Sequence, residues 1–209
     1  MTLRDRGAIV AGIDAADKLI EIAGERTPDA DLRVGDLEAL PWPDDSFDVV
    51  TGFSAFQFAD NKAQALAEAR RVSRGPVVVM IPTRVPESGI AAVFKPLFPL
   101  FPLEALESMK QSGMFALSEP GKLDDLLAAA GLTVQDDAEI ACPVSFDDAD
   151  TAARAFVGAG PMALAIRHSG EQTIAQAVQD ALALFTGSDG RVTLAAWYRA
   201  VLAVVADPR

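Results

Sequence analysis

Apolar runs of strand length alternate with helical stretches over roughly the first eighty residues of the chain. Ala8 to Ile13 is a compact apolar run that stops at Asp14. Behind it Leu19, Ile20 and Ala23 share one face of a helical stretch, which Gly24 and Pro28 are expected to close. Leu32 to Val34 reads as a second strand ending at Gly35-Asp36. A polar, proline-punctuated loop over 41–46 leads into a third strand, Phe47 to Thr51. Asp60 or Asn61 is placed to cap the next helix, with Ala63, Leu66, Ala67 and Val72 on its buried face. Val77 to Ile81 is uninterrupted and β-branched, as a strand covered on both faces of a parallel sheet should be. Strand, helix, strand, strand, helix, strand in this order predicts an α/β fold with a parallel sheet.

Beyond Pro82 the pattern loosens. Residues 83–118 carry Phe94, Phe98, Phe101, Met109, Met114 and Phe115 among several prolines. They read either as a loop-rich subdomain with a small core or as a lid over an apolar substrate. Leu123, Leu126, Leu127 and Ala130 mark a helix ending at Gly131, and Leu132 to Val134 begins another strand. Ala138 to Phe146 looks extended, and Asp147 to Thr186 reads helical. Leu194, Trp197, Tyr198, Val201, Leu202 and Val205 fit a helical face, whereas the turn Gly187-Ser188-Asp189-Gly190 fits a closing strand. No repeat and no long polar linker divides the chain. It is expected to be one domain, with a cofactor-binding part over 8–82, a substrate-side lid or subdomain over 83–118, and C-terminal strands with inserted helices over 119–209.

Composition narrows the chemistry. The 209 residues are 50% hydrophobic and 23% charged, enough to bury a core without a disulfide or metal staple. Eighteen basic residues against 30 acidic ones leave a formal charge of −12, which argues against nucleic-acid or anionic-membrane partners. One cysteine, Cys142, and one histidine, His168, build neither an intrachain disulfide nor a zinc cluster, so no metal is expected. The purest apolar stretch is far short of the ~20 residues a spanning helix needs. With no signal-peptide pattern at the start, a cytoplasmic protein is expected.

Asp14 and Asp36 stand at the ends of consecutive predicted strands. In open α/β sheets the ligand crevice lies beyond the carboxyl ends of the strands. A carboxylate at Asp14 can accept from both hydroxyls of a ribose, and one at Asp36 from an adenine amine. Each can also simply cap the turn that follows it.

Four motifs now carry a resemblance. Gly12-Ile13-Asp14-Ala15, the stretch Val34 to Pro43 (VGDLEALPWP), Ser46-Phe47-Asp48-Val49-Val50, and Ala67-Glu68-Ala69-Arg70-Arg71-Val72 follow one another in order. Together they resemble the class I S-adenosylmethionine-dependent methyltransferases, in particular the branch of the ubiquinone and menaquinone C-methyltransferases. Weaker similarity continues through Leu117 to Gly121 and Ala130 to Leu132, and from Asp189 into Tyr198-Arg199. The resemblance implies a Rossmann-like sheet with helices on both faces. It also implies that Tyr198 to Val205 is a strand, against its helical periodicity.

The same resemblance assigns residues. Asp14 would bind the ribose of S-adenosyl-L-methionine, Ile13 and Ala15 would line the adenine, and Asp36 and the Leu37 N–H would take its edge. Phe53 and Ser54 would meet the cofactor, with Phe56 and Gln57 on the acceptor side. The implied reaction is an in-line methyl transfer to a small molecule, for which no strong acid or base is obligatory; no catalytic residue is assigned. The family's glycine-rich first motif is not found, and Leu3 to Ala8 resembles the end of the helix that follows it. The sheet is therefore expected to lack its first strand. Weak cofactor binding and self-association through uncovered strands are expected consequences, and a non-catalytic methyltransferase-like domain is the competing reading. An NAD-dependent dehydrogenase would share the acidic residue on the ribose but leaves the stretch from Gly35 to Pro43 unexplained.

Overall fold

A computed structural model describes residues 6–205. Strands β1 (Ala11–Asp14) and β2 (Asp31–Val34) pair in parallel, with α1 (Asp17–Arg26) crossing between them. β3 (Val50–Phe53) and β4 (Val77–Thr83) form a second parallel pair, linked by α2 (Lys62–Val72). After β4 come α3 (Gly89–Phe94), α4 (Leu103–Gln111), α5 (Lys122–Ala129) and the long strand β5 (Leu132–Ala141). β6 (Val144–Phe146), three helices and β7 (Val192–Leu194) precede the last strand, β8 (Trp197–Val205). Those helices are α6 (Ala149–Val157), α7 (Met162–Ser169) and α8 (Glu171–Ala183). β8 inserts antiparallel between β4 and β5, giving the order β3-β4-β8-β5, while β1-β2 and β6-β7 form separate two-stranded sheets.

Several expectations shift. The helix of the first βαβ unit does not close at Gly24 but runs two residues further, where both the Thr27 N–H and its hydroxyl cap the Ala23 carbonyl at 2.8 and 2.6 Å. One interior glycine costs a helix only about 1 kcal/mol, whereas the ring of Pro28 cannot continue it. The third strand begins at Val50; Phe47 makes only an isolated bridge to Ser73. Asn61 is the residue that caps α2, accepting from the Gln64 N–H at 3.1 Å. The fully buried face of α2 is Ala65, Leu66, Ala69 and Val72, a rotation from the expected stripe, since α2 packs on both the sheet and α5. The expected helix tail at Leu3 to Asp5 lies outside the described residues.

Two hydrophobic cores result. One joins α2 and α5 to the β3-β4-β8-β5 sheet through Leu66, Val77, Val79, Leu123, Leu127 and Val201. The other joins α3 and α4 to α6, α7 and α8 through Val93, Ala105, Phe156, Met162, Ile174 and Val178. The prolines of the 83–118 stretch do not prevent regular structure there. Pro96 and Pro99 sit in a 3₁₀ turn over 95–100, and Pro102 is the N-cap of α4. Proline's fixed φ suits Pro96 at the start of that turn, while Pro99 lies inside it. Between 6 and 51 no residue is fully buried, so the first βαβ unit rests on the molecule rather than inside it.

Arg199 of β8 ties the main sheet to α5. Its two Nη atoms donate to Asp124 at 2.8 and 2.7 Å, and Nε and Nη2 reach Asp137 at 3.0 and 2.6 Å. The guanidinium holds the Asp124 carboxyl below its ordinary range. A carboxyl depressed in the folded state stabilises the fold above its unfolded pKa and loses that contribution as pH falls through the folded value. Because both acids are partly exposed, Arg199→Ala is expected to cost only about 1–2 kcal/mol at neutral pH. Urea unfolding should show that gap closing as the pH falls below the ordinary carboxylate range. A gap unchanged in acid would mean that Arg199 acts by packing alone.

Candidate functional site

The carboxyl ends of β1 and β2 lie side by side, with Asp14 opposite Val34 and the Gly35 N–H donating to the Asp14 carbonyl at 3.0 Å. A Cβ at position 35 would stand 2.8 Å from Ile13 Cδ1, so any larger residue there needs that flexible side-chain end to shift. The two acids emerge on neighbouring turns at the ends of these paired strands. Both side chains are exposed and held alike. Asp14 Oδ1 accepts from the Ala16 N–H, and Asp36 Oδ1 from the Glu38 N–H, each at 2.8 Å. Turn capping thus occupies one oxygen of each carboxylate and leaves the other, Oδ2, without a protein donor among the described residues. Ile13 is half-buried, Ala15 is exposed, and Leu37 packs against the main-sheet core while its N–H makes no hydrogen bond among the described residues.

The other predicted residues follow β3, in a different sheet. Phe53 ends the strand as an exposed aromatic residue, 58% accessible. Ser54 takes a left-handed backbone, φ 51°, and its N–H donates to the Met80 carbonyl at 2.8 Å. A non-glycine residue in that region is costly and concentrates where a chain must turn sharply beside a site. Phe56 is a core residue whose ring lies against Gly52, where any Cβ would collide with it. Gln57 is fully buried; its Nε2 reaches the Met114 carbonyl at 3.5 Å and its Oε1 has no partner. β1 and β3 do not pair with each other, so the acids of the first unit and the Phe53-Ser54 turn stand on different sheets.

A groove of about 430 Å³ lined by Lys62, Gln111, Ala116, Leu117, Lys122 and Asp125 contains none of the predicted site residues. His168 and Cys142 are both exposed. Among the described residues no group of three or more His, Cys, Asp or Glu is placed to hold a metal, and no helix is long and apolar enough to cross a membrane. Burial pushes the Tyr198 hydroxyl pKa up on β8. Sequence reasoning missed Glu68 and Arg71 as contributors to this region. Their motif was visible, but nothing in their spacing signals that they hold a loop some thirty residues away.

Residues 1–79 match the methyltransferase domain family. A demethylmenaquinone methyltransferase from Thermotoga maritima is 36% identical over 73 residues, covering 34% of this chain and 32% of the relative. A malonyl-[acyl-carrier protein] O-methyltransferase from Halorhodospira halophila is 38% identical over 90 residues, 41% of this chain and 30% of the relative. The match thus spans about a third of the length of these curated relatives. The crystal structure of the YcgJ protein from Bacillus subtilis superposes with a TM-score of 0.58 at 16% identity, covering 96% of this chain and 83% of that one. Over its first 79 residues the chain is thus similar to the methyltransferase domain family, and its fold is Rossmann-like, as in the class I methyltransferases.

Proposed function

We propose that this chain binds S-adenosylmethionine at the ends of β1, β2 and β3 and directs its methyl group to a small-molecule acceptor by in-line displacement. The observation that carries this reading is the pair Asp14 and Asp36, each fixed through one carboxylate oxygen by its own turn, with the other oxygen left for a ligand. The residues present fit the cofactor. Asp14 Oδ2 suits ribose hydroxyls, Asp36 Oδ2 an exocyclic amine, the Leu37 N–H a ring nitrogen, and Ile13 and Ala15 an apolar purine face. Phe53 and Ser54 border the same edge, and Phe56 and Gln57 back the acceptor side.

When bound, the cofactor supplies an electrophilic methyl group on a sulfonium. The chain's residues supply binding, alignment and exclusion of water. Acidic side chains and a net charge of −12 favour approach of a cation. No residue of the site is required to move a proton for the transfer itself. The two curated relatives are named for a quinone precursor and for an acyl-carrier-protein ester, so the acceptor is not fixed by similarity.

The placement of β1 and β3 in separate sheets favours a second reading, a methyltransferase-like domain that binds cofactor weakly or not at all and self-associates through its open strands. Calorimetric titration with S-adenosylhomocysteine separates the two. Saturable one-to-one binding is expected on the first reading. Absence of heat at millimolar ligand would leave the second.

A further inference from the structure

The first βαβ unit and the main sheet each hold half of the proposed cofactor site, yet they share no sheet. What holds them in register is the loop 37–44. On one side the loop is bound to β2: Arg33 Nη1 donates to the Pro41 carbonyl at 2.8 Å, and Trp42 Nε1 donates to Asp31 Oδ2 at 3.0 Å. The Arg33 guanidinium also lies 4.9 Å above the Trp42 ring. On the other side the loop is bound to α2. Arg71 uses all five of its N–H groups there. Nε and Nη2 grip the Glu68 carboxylate at 2.7 Å each, Nη1 donates to the Trp42 carbonyl and Asp44 Oδ1 at 2.8 Å each, and Nη2 also donates to the Leu40 carbonyl at 3.0 Å. Glu68 Oε2 in turn accepts from the Leu40 N–H at 2.8 Å. Both backbone groups of Leu40 are thereby held by one ion pair. At the start of the helix, Glu38 Oε1 accepts from the Asn61 N–H at 2.8 Å, two residues from Asp36.

We propose that Glu68 and Arg71 are positioning residues for the cofactor site, setting Asp36 and Leu37 against the Phe53-Ser54 turn without touching the ligand. This rests on the cofactor reading above. The logic is geometric. α2 is anchored by Ala65, Leu66 and Ala69, fully buried in the main core, so a loop fastened to it inherits the main sheet's coordinates. The first unit, with no fully buried residue, has no comparable anchor of its own. A planar fork satisfies two carbonyls and two carboxylates at once. Lysine, with one point charge and three donors, cannot reproduce that arrangement.

The test uses the whole chain, S-adenosylhomocysteine as probe, and a double-mutant cycle. Arg71→Lys is expected to remain folded, to weaken binding about three- to thirtyfold, and to speed amide exchange in 36–44 while leaving Val77 to Ile81 unchanged. Glu68→Gln should fall in the same direction. In an Asp36→Ala background Arg71→Lys should cost clearly less, because one of the two contacts it positions is already gone and only the Leu37 N–H remains. Binding by Arg71→Lys as tight as by the unaltered chain overturns the positioning role alone. An equal loss in the Asp36→Ala background also overturns it, since Arg71 would then act elsewhere. Absence of binding by the unaltered chain overturns the cofactor reading itself.

Discussion

Asp14→Ala is expected to weaken S-adenosylhomocysteine binding about ten- to hundredfold, the equivalent of about 1.5–3 kcal/mol for hydrogen bonds to a charged acceptor. The substitution also removes the bond from the Ala16 N–H to Asp14 Oδ1, so its raw effect mixes two causes. Asp14→Asn separates them. The amide keeps an oxygen for the turn but presents an NH₂ where the second carboxylate oxygen stood, which cannot accept from a ribose hydroxyl. If Asp14 serves the ligand, Asn should lose nearly as much affinity as Ala. If it only caps the turn, Asn should bind like the unaltered chain. Calorimetry that finds all three equal removes Asp14 from the site.

How much of this was legible in the sequence differs by residue. The strand-end acids were placed correctly because a short apolar run followed by Gly-Asp or Ile-Asp has few other readings in an α/β chain. For β8 the residues left helix and strand open, the turn at 187–190 favouring a strand, and the resemblance decided between them. Its Trp197, Val201 and Val205 have helical spacing, but lying between β4 and β5 it is overridden by pairing on both edges. The phase of α2 was misread because alanine is apolar wherever it falls: Ala63 and Ala67 suit a stripe as well as Ala65 and Ala69, and only packing against the sheet and α5 decides. The hold of Arg71 on Trp42 and Leu40 could not be read at all, since side-chain bonds to distant carbonyls leave no periodicity. The same holds for the unpartnered Gln57 Oε1, which only the burial of its surroundings reveals.

The strand edges support the second large prediction, that the chain associates with copies of itself through the open side of β3. The outer edges of its sheets are guarded. β5 carries Asp136, Asp137 and Glu139 and a register shift between Val134 and Asp136, and β2 carries the Asp31–Arg33 pair. Charges and bulges of this kind discourage pairing with another chain. The unpaired edges of β1 and β3 carry no charged residue before Asp14: Ala11, Gly12 and Ile13 on one, Val50, Thr51, Gly52 and Phe53 on the other. On β3 the Val50 and Ser54 N–H groups serve β4, which turns those of Thr51 and Phe53 toward the open side. Thr51→Pro deletes one of these outward donors without removing a bond to β4, and proline is tolerated on an edge strand for that reason. Sedimentation velocity of the unaltered chain should show species growing with concentration, and Thr51→Pro should stay at the mass of one chain with its unfolding midpoint little changed. A chain that remains monomeric at every concentration, or a Thr51→Pro variant that associates just as strongly, would show that the β3 edge is closed by other means.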